Sequence, residues 1–132
     1  MLSNRSMPRA AVIPVLAYPD VAEAVDWLCR TFGFTLRIRI GDHRAQLNVG
    51  DDGGAVVVTA PAGAKASVMV RVENVDAHHE RCLQSGARIV EPPSTYPYGE
   101  RQYTVEDPAG HQWKFSESVA DIDPLDWGGS LS

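Results

Sequence analysis

The chain has 132 residues, 44% apolar and 22% charged, with a net charge of −5, the profile of one globular domain spanning residues 1–132. No basic stripe offers a footprint for phosphates, which argues against nucleic-acid binding, and no apolar run approaches membrane-span length. The opening MLSNRSMPRAAVIPV has no secretory signal pattern, and Cys29 and Cys82 show no ligand spacing, so free thiols and a cytoplasmic location are expected.

In chain order, AVIPVLAY (11–18) reads as a strand, and Asp20 stands as the N-cap of a helix. Val21, Val25, Leu28, Cys29 and Phe32 recur at helical spacing, and Gly33 stops the helix. FTLRIRI (34–40) and HRAQLNV (43–49) alternate with period two, and the GDDGG turn leads to a fourth strand, AVVVTA (55–60). The short PAGAK linker follows, and then the order repeats. SVMVRVE (67–73) reads as a strand, Asn74 as a cap, and VDAHHERCLQS (75–85) as a helix ended by Gly86. ARIVE (87–91), RQYTVE (101–106) and HQWKFSE (111–117) supply three more strands, and a tail occupies 118–132.

Sliding one half onto the other superimposes Asp20 on Asn74, Cys29 on Cys82 and Gly33 on Gly86. A slightly larger shift brings Ala55 onto His111. The expected class is therefore α+β, with two tandem β-α-β-β-β modules (11–60 and 67–117). Their mixed sheet should curve into a cup, with the helices on its outer face.

This arrangement resembles the vicinal oxygen chelate superfamily, which includes glyoxalase I, extradiol dioxygenases and bleomycin-resistance proteins. AYPDVAEAVDWLCRTFGF (17–34), VRVENVDAHHERCLQSGARI (70–89) and YGERQYTVEDPAGHQWKF (98–115) carry the likeness. The resemblance implies, for the enzymes, a divalent metal held by His, Gln or Glu from each module's first strand and a Glu from the last strand. Those places fall here on Pro14, Ser67 and Lys114: an imino ring, a small alcohol and an ammonium. The expectation is no metal and no cofactor.

The histidines do not rescue a metal site. His111 lies an odd number of residues from Lys114, so it should point away from the cup as a hydrogen-bonding residue beside the turn. His78 and His79 are adjacent on a helix, about 100° apart, and His79 is expected to pack on the apolar stripe with Val75, Cys82 and Leu83. His43 begins a strand near the rim.

Strand alternation then assigns Leu16, Tyr18, Met69, Arg71, Gln112, Lys114 and Ser116 to the cup, and Ile13, Val15, Val68, Val70, Trp113 and Phe115 to the core. PPSTYPYGERQY (92–103) is expected to form a loop over the mouth. Tyr96, Tyr98 and Tyr103 either face a planar ligand or pack the loop down, and Arg101 can stack or hydrogen-bond. Trp127 in the tail should dock on the chain or on a partner subunit. The candidate ligand-binding set is Leu16, Tyr18, His43, Met69, Arg71, Tyr96, Tyr98, Arg101, Tyr103, Gln112 and Lys114.

The leading expectation is a metal-free binding protein that sequesters an aromatic natural product or antibiotic. It resembles the bleomycin-resistance branch, whose members are commonly homodimers linked to antibiotic resistance. The alternative is a lyase, isomerase or dioxygenase with unusual metal ligands or none, drawing on His43, Lys114, Arg71, Tyr18 or Glu100 for acid–base chemistry. A third reading is a structural module whose cup is filled by its own side chains.

Overall fold

A computed structural model describes residues 2–130. Its elements are β1 (Val15–Ala17), α1 (Val21–Phe32), β2 (Thr35–Ile40), β3 (Arg44–Val49), β4 (Gly54–Thr59), β5 (Ser67–Arg71), α2 (Val75–Gln84), β6 (Arg88–Thr95), β7 (Glu100–Glu106) and β8 (Gln112–Ser118). A 3-10 turn, Pro124–Trp127, lies in the tail. The strands form two four-stranded mixed sheets, ordered β1-β4-β3-β2 and β5-β8-β7-β6, with the first and last strands of each module parallel. Among the described residues no strand pairing joins the two sheets.

Local chemistry sets the helices. The Asp20 and Asn74 side chains accept from the backbone N–H groups of Glu23 and Ala77, satisfying donors that the first turn leaves free. Gly33 closes α1 at φ 81°, donating to the Cys29 carbonyl, a conformation a side chain would strain. The Arg81 guanidinium of α2 donates to the carbonyls of Cys29 and Arg30 at the end of α1, where the helix dipole favours a cation. The second module thus stabilises the helix of the first.

The core is shared as well. The Phe32 ring lies 5.5, 5.4 and 4.9 Å from the rings of Phe34, Trp113 and Phe115, so the last turn of α1 packs against the second sheet. Truncating a buried aromatic of this kind costs about 3–5 kcal/mol.

Asp107, before β8, ties the modules most directly. Its carboxylate is buried and accepts from the Tyr18 hydroxyl at 2.6 Å, the Trp113 indole at 3.0 Å, and the Ala109 and His111 backbone N–H groups at 3.0 Å each. Burial first, and the Asp107 charge second, push the Tyr18 phenol well above its usual value, so it stays a donor. His111, 1% exposed, accepts at Nδ1 from the Ala66 N–H at 2.9 Å. Its proton therefore sits on Nε2, which donates to the Ala17 carbonyl at 2.7 Å. One imidazole thus bridges the end of β1 to the chain entering β5. The turn TVEDPAGHQW is a clasp between modules.

Several expectations are corrected here. Gly53 and Gly110 adopt matching positive φ angles of 83° and 88° before β4 and β8, so Gly54, not Ala55, corresponds to His111. The first strand is only three residues long, and its phase is reversed. Leu16 and Tyr18 are buried under α1, while Val15 is 54% exposed. Tyr18 must point inward to reach Asp107, and Pro14, used to set the phase, lies outside the strand. His79 packs as expected, its ring 5.1 Å from that of Tyr103, and His78 joins it on the buried side of α2. His78 sits three residues from Val75 and four from Cys82 and meets Phe115 ring to ring at 4.0 Å, whereas Leu83 is exposed. No long loop covers 92–103, because β6 continues to Thr95 through two register shifts that accommodate Pro92 and Pro93.

Asp107→Asn would turn an amide NH2 group toward donors that now meet an oxygen. It is expected to cost about 2–3 kcal/mol in urea unfolding, with Tyr18→Phe costing about 1 kcal/mol. An unchanged midpoint for Asp107→Asn would contradict the clasp.

Candidate functional site

Strand pairing fixes what lies on the face of the second sheet turned away from its helix. Met69, Lys114 and Thr104 form one row, Arg71, Ser116 and Gln102 the next, and Ser67, Gln112 and Glu106 the third. Their neighbours Val70, Trp113, Phe115, Tyr103 and Val105 all belong to the core, so alternation places this set on the opposite face. Thr104, Gln102 and Ser116 form a buried polar floor, Lys114 is half-buried, and Met69, Arg71 and Gln112 are exposed.

The floor is organised at one end. Gln102 donates to Ser116 Oγ at 3.0 Å and accepts from the Tyr98 hydroxyl at 3.1 Å. Ser116 donates to Glu100 at 2.7 Å, and Arg71 donates to Ser118 Oγ at 2.6 Å. Hydrogen bonding from Ser118, with help from Ser116 and the Arg71 charge, holds the Glu100 carboxyl below its usual range. Tyr96 and Tyr98 stack at 5.5 Å, and Trp127 packs against Tyr98 at 5.2 Å. Aromatic planes thus flank a patch with an ammonium, a guanidinium and an amide.

Beside this face runs a groove. Between the β3–β4 turn and β5 a cavity of about 330 Å³ is lined by Val12, Pro14, Asp51, Asp52, Met69 and Arg71. A second cavity, of about 580 Å³, shares Val70 and Arg71 and reaches Phe32, Phe34, His78 and Arg81. Met69 and Arg71 therefore belong to both the face and the groove.

Of the residues singled out in the sequence, Met69, Arg71, Gln112 and Lys114 come together, with Tyr98 and Tyr96 at the end of the face. Leu16, Tyr18 and Tyr103 are core residues. Arg101 points to the helix side and binds Asp76 through both carboxylate oxygens, because it alternates with Gln102. His43 is exposed beside Gly41 at the β2–β3 turn, away from the face. Phe32, Phe34, His78 and Arg81 were missed. The FGF sequence at the end of α1 was their one signal, but helical spacing makes Phe32 a core residue first.

Donors for a metal ion do not assemble here. On the faces turned away from the helices the parallel strands pair Val15 with Val57 in the first sheet, and Met69 with Lys114 in the second. No group of three or more His, Cys, Asp or Glu among the described residues is placed to hold an ion. Two isopropyl groups, a thioether and an ammonium do not fit a divalent cation.

Two β-α-β-β-β modules, paired through a shared core, are the architecture that comparison with known proteins also returns. Residues 10–115 match the family model described as the Glyoxalase/Bleomycin resistance protein/Dioxygenase superfamily, and the chain belongs to that superfamily. It is 38% identical to TioX from Micromonospora sp. ML1, with a TM-score of 0.72, covering 86% of this chain and 100% of that one. A lactoylglutathione lyase from Agrobacterium tumefaciens shares the fold at 16% identity and a TM-score of 0.70, covering 85% and 96%. An uncharacterised protein of Mycobacterium tuberculosis is 26% identical, over 85% of this chain and 76% of its own length. No helix of the described residues is long and apolar enough to cross a membrane.

His78 links groove and core. Burial foremost lowers its pKa, the Arg81 charge lowers it further, and the bond to the Phe32 carbonyl opposes both. The unfolded imidazole, near pH 6.5, binds a proton before the folded one does. This contribution to stability is therefore present above about pH 6.5 and lost as pH falls through the lower folded value. The urea midpoint is expected to drop from pH 7.5 to 5.5 by more in the wild type than in His78→Asn. Equal drops would contradict the burial of a neutral His78.

Proposed function

We propose that the protein binds a small molecule bearing an aromatic ring and hydrogen-bond acceptors, of natural-product or antibiotic type, and holds it unchanged without a metal ion. The row Met69–Lys114–Thr104 supports this reading: it puts a soft thioether, an ammonium and a hydroxyl side by side on the sheet face, with Lys114 at the place where the resemblance implies a metal-ligating Glu. Lys114 and Arg71 meet carbonyl or carboxylate oxygens, Met69 and the groove wall cover an apolar ring, and the Tyr96–Tyr98 stack offers a flat end surface. Superfamily membership and the likeness to TioX agree with a binding role but do not name the ligand.

The test is a thermal-shift screen of planar aromatic natural products and peptide antibiotics, followed by calorimetry and mass spectrometry of the recovered ligand. Lys114→Ala and Arg71→Ala are each expected to weaken binding roughly tenfold or more, about 1.4 kcal/mol, with little change in unfolding. Recovery of a chemically altered ligand would show turnover and overturn the reading.

The functional unit is proposed to be a cytoplasmic homodimer. Val12, Val15 and Met69 stand exposed along the β1 and β5 edges, an apolar strip that a second copy would cover. Sedimentation should give a dimer, and Val15→Glu should shift it toward monomer; a wild-type monomer at micromolar concentration would refute this part.

A further inference from the structure

The outer face of the first sheet already holds a peptide. Gln46 and Val57 pair across β3 and β4, are 4% and 2% exposed, and lie outside the core cluster, unlike their neighbours Ala45, Leu47, Val56 and Val58. The segment that covers Gln46 is the chain's own N-terminus. Gln46 Nε2 donates to the Ser6 carbonyl at 2.9 Å, and Arg37 Nη2 donates to the carbonyls of Arg5 and Met7 at 2.9 Å each. Arg37 Nη1 also binds Gln46 Oε1, which fixes the amide so that its NH2 group points at the segment. Arg37 reaches this position from a bulge: Leu36 pairs with Leu47 and Ile38 with Gln46, leaving Arg37 as the extra residue. Bulges re-aim side chains in this way.

Only main-chain atoms are read. Three consecutive carbonyls are held, while the side chains of Arg5, Ser6 and Met7 take no part in these bonds and all three residues are exposed. These three bonds do not depend on the side chains of residues 5–7, and Pro8, which follows them, is buried. We propose that Arg37 and Gln46 form a peptide-carbonyl station, filled here by residues 5–7, which a ligand with a peptide backbone takes over by displacing that segment. This deepens the reading above by naming the ligand's backbone, and rests on it only for the existence of a foreign ligand.

The test uses the full chain and trypsin cleavage after Arg5, followed by mass spectrometry, with cleavage after Arg81 as the control for folding. Three hydrogen bonds of about 1 kcal/mol each hold the segment. Arg37→Ala, which removes two of these bonds, is therefore expected to speed cleavage after Arg5 by roughly thirtyfold and Gln46→Leu, which removes one, by roughly fivefold, with the rate after Arg81 unchanged. The probe is acetyl-Ala-Ser-Met-Pro-amide, which trypsin does not cut. At millimolar concentration, needed to rival a tethered segment, it should speed cleavage after Arg5 in the wild type and have no effect in Gln46→Leu. Equal cleavage after Arg5 in wild type and variants would show that the segment is not docked, and would overturn the proposal. Faster cleavage in the variants with no effect of the probe would show a station closed to foreign peptides, and would overturn it equally. Lys114→Ala leaves these rates unchanged, so failure at the second sheet's face is told apart from failure here.

Discussion

The carboxylate of Asp107 holds this molecule in one arrangement. It gathers a phenol from the first module, an indole from the second and two turn amides around one buried pair of oxygens. A buried acceptor of this kind is stable only with its donors in place, so the position of Tyr18 relative to Trp113 is set within hydrogen-bonding tolerance. His111 adds a second span from Ala17 to Ala66. Two sheets that share no strand pairing among the described residues are thereby fixed relative to each other.

That fixation decides what remains for function. With the helix-side faces of both sheets committed to a common core, each module presents its other face outward. On the first, the Val15–Val57 pair is apolar, and Arg37 and Gln46 hold the N-terminal segment. On the second, Met69, Arg71 and the half-buried Lys114 stand beside a groove that ends on aromatic rings, next to a Gln102–Ser116 floor whose polar groups are already paired. The first face differs from the second in carrying the chain's own N-terminal segment.

Much of this was legible in the sequence. The caps at Asp20 and Asn74, the stop at Gly33, the repeated strand order and the role of His111 as a hydrogen-bonding residue follow from local rules that the tertiary fold did not override. Register was less legible. A three-residue β1 has too few positions to show its own phase, so an assumption placed on Pro14 exposed Leu16 and Tyr18 and buried Val15, the reverse of the structure. Bulges hid two further facts: β6 runs through a Pro-Pro pair, and Arg37 turns outward. That His78 joins His79 on the buried side of α2 depends on packing against the other module, which no single-helix pattern contains. The N-terminal segment carries no periodic signal, and its hold on the sheet is made by carbonyls that every residue possesses.

The central claim is that the turn before β8 is a clasp and not part of a metal centre. Nitrogen-15 NMR of the His111 ring, with and without added zinc, tests it most directly. The account predicts a neutral imidazole protonated at Nε2, an Nδ1 that accepts from the Ala66 amide, and no change on adding the ion. A ring protonated at Nδ1, or nitrogen signals displaced by stoichiometric zinc, would contradict it.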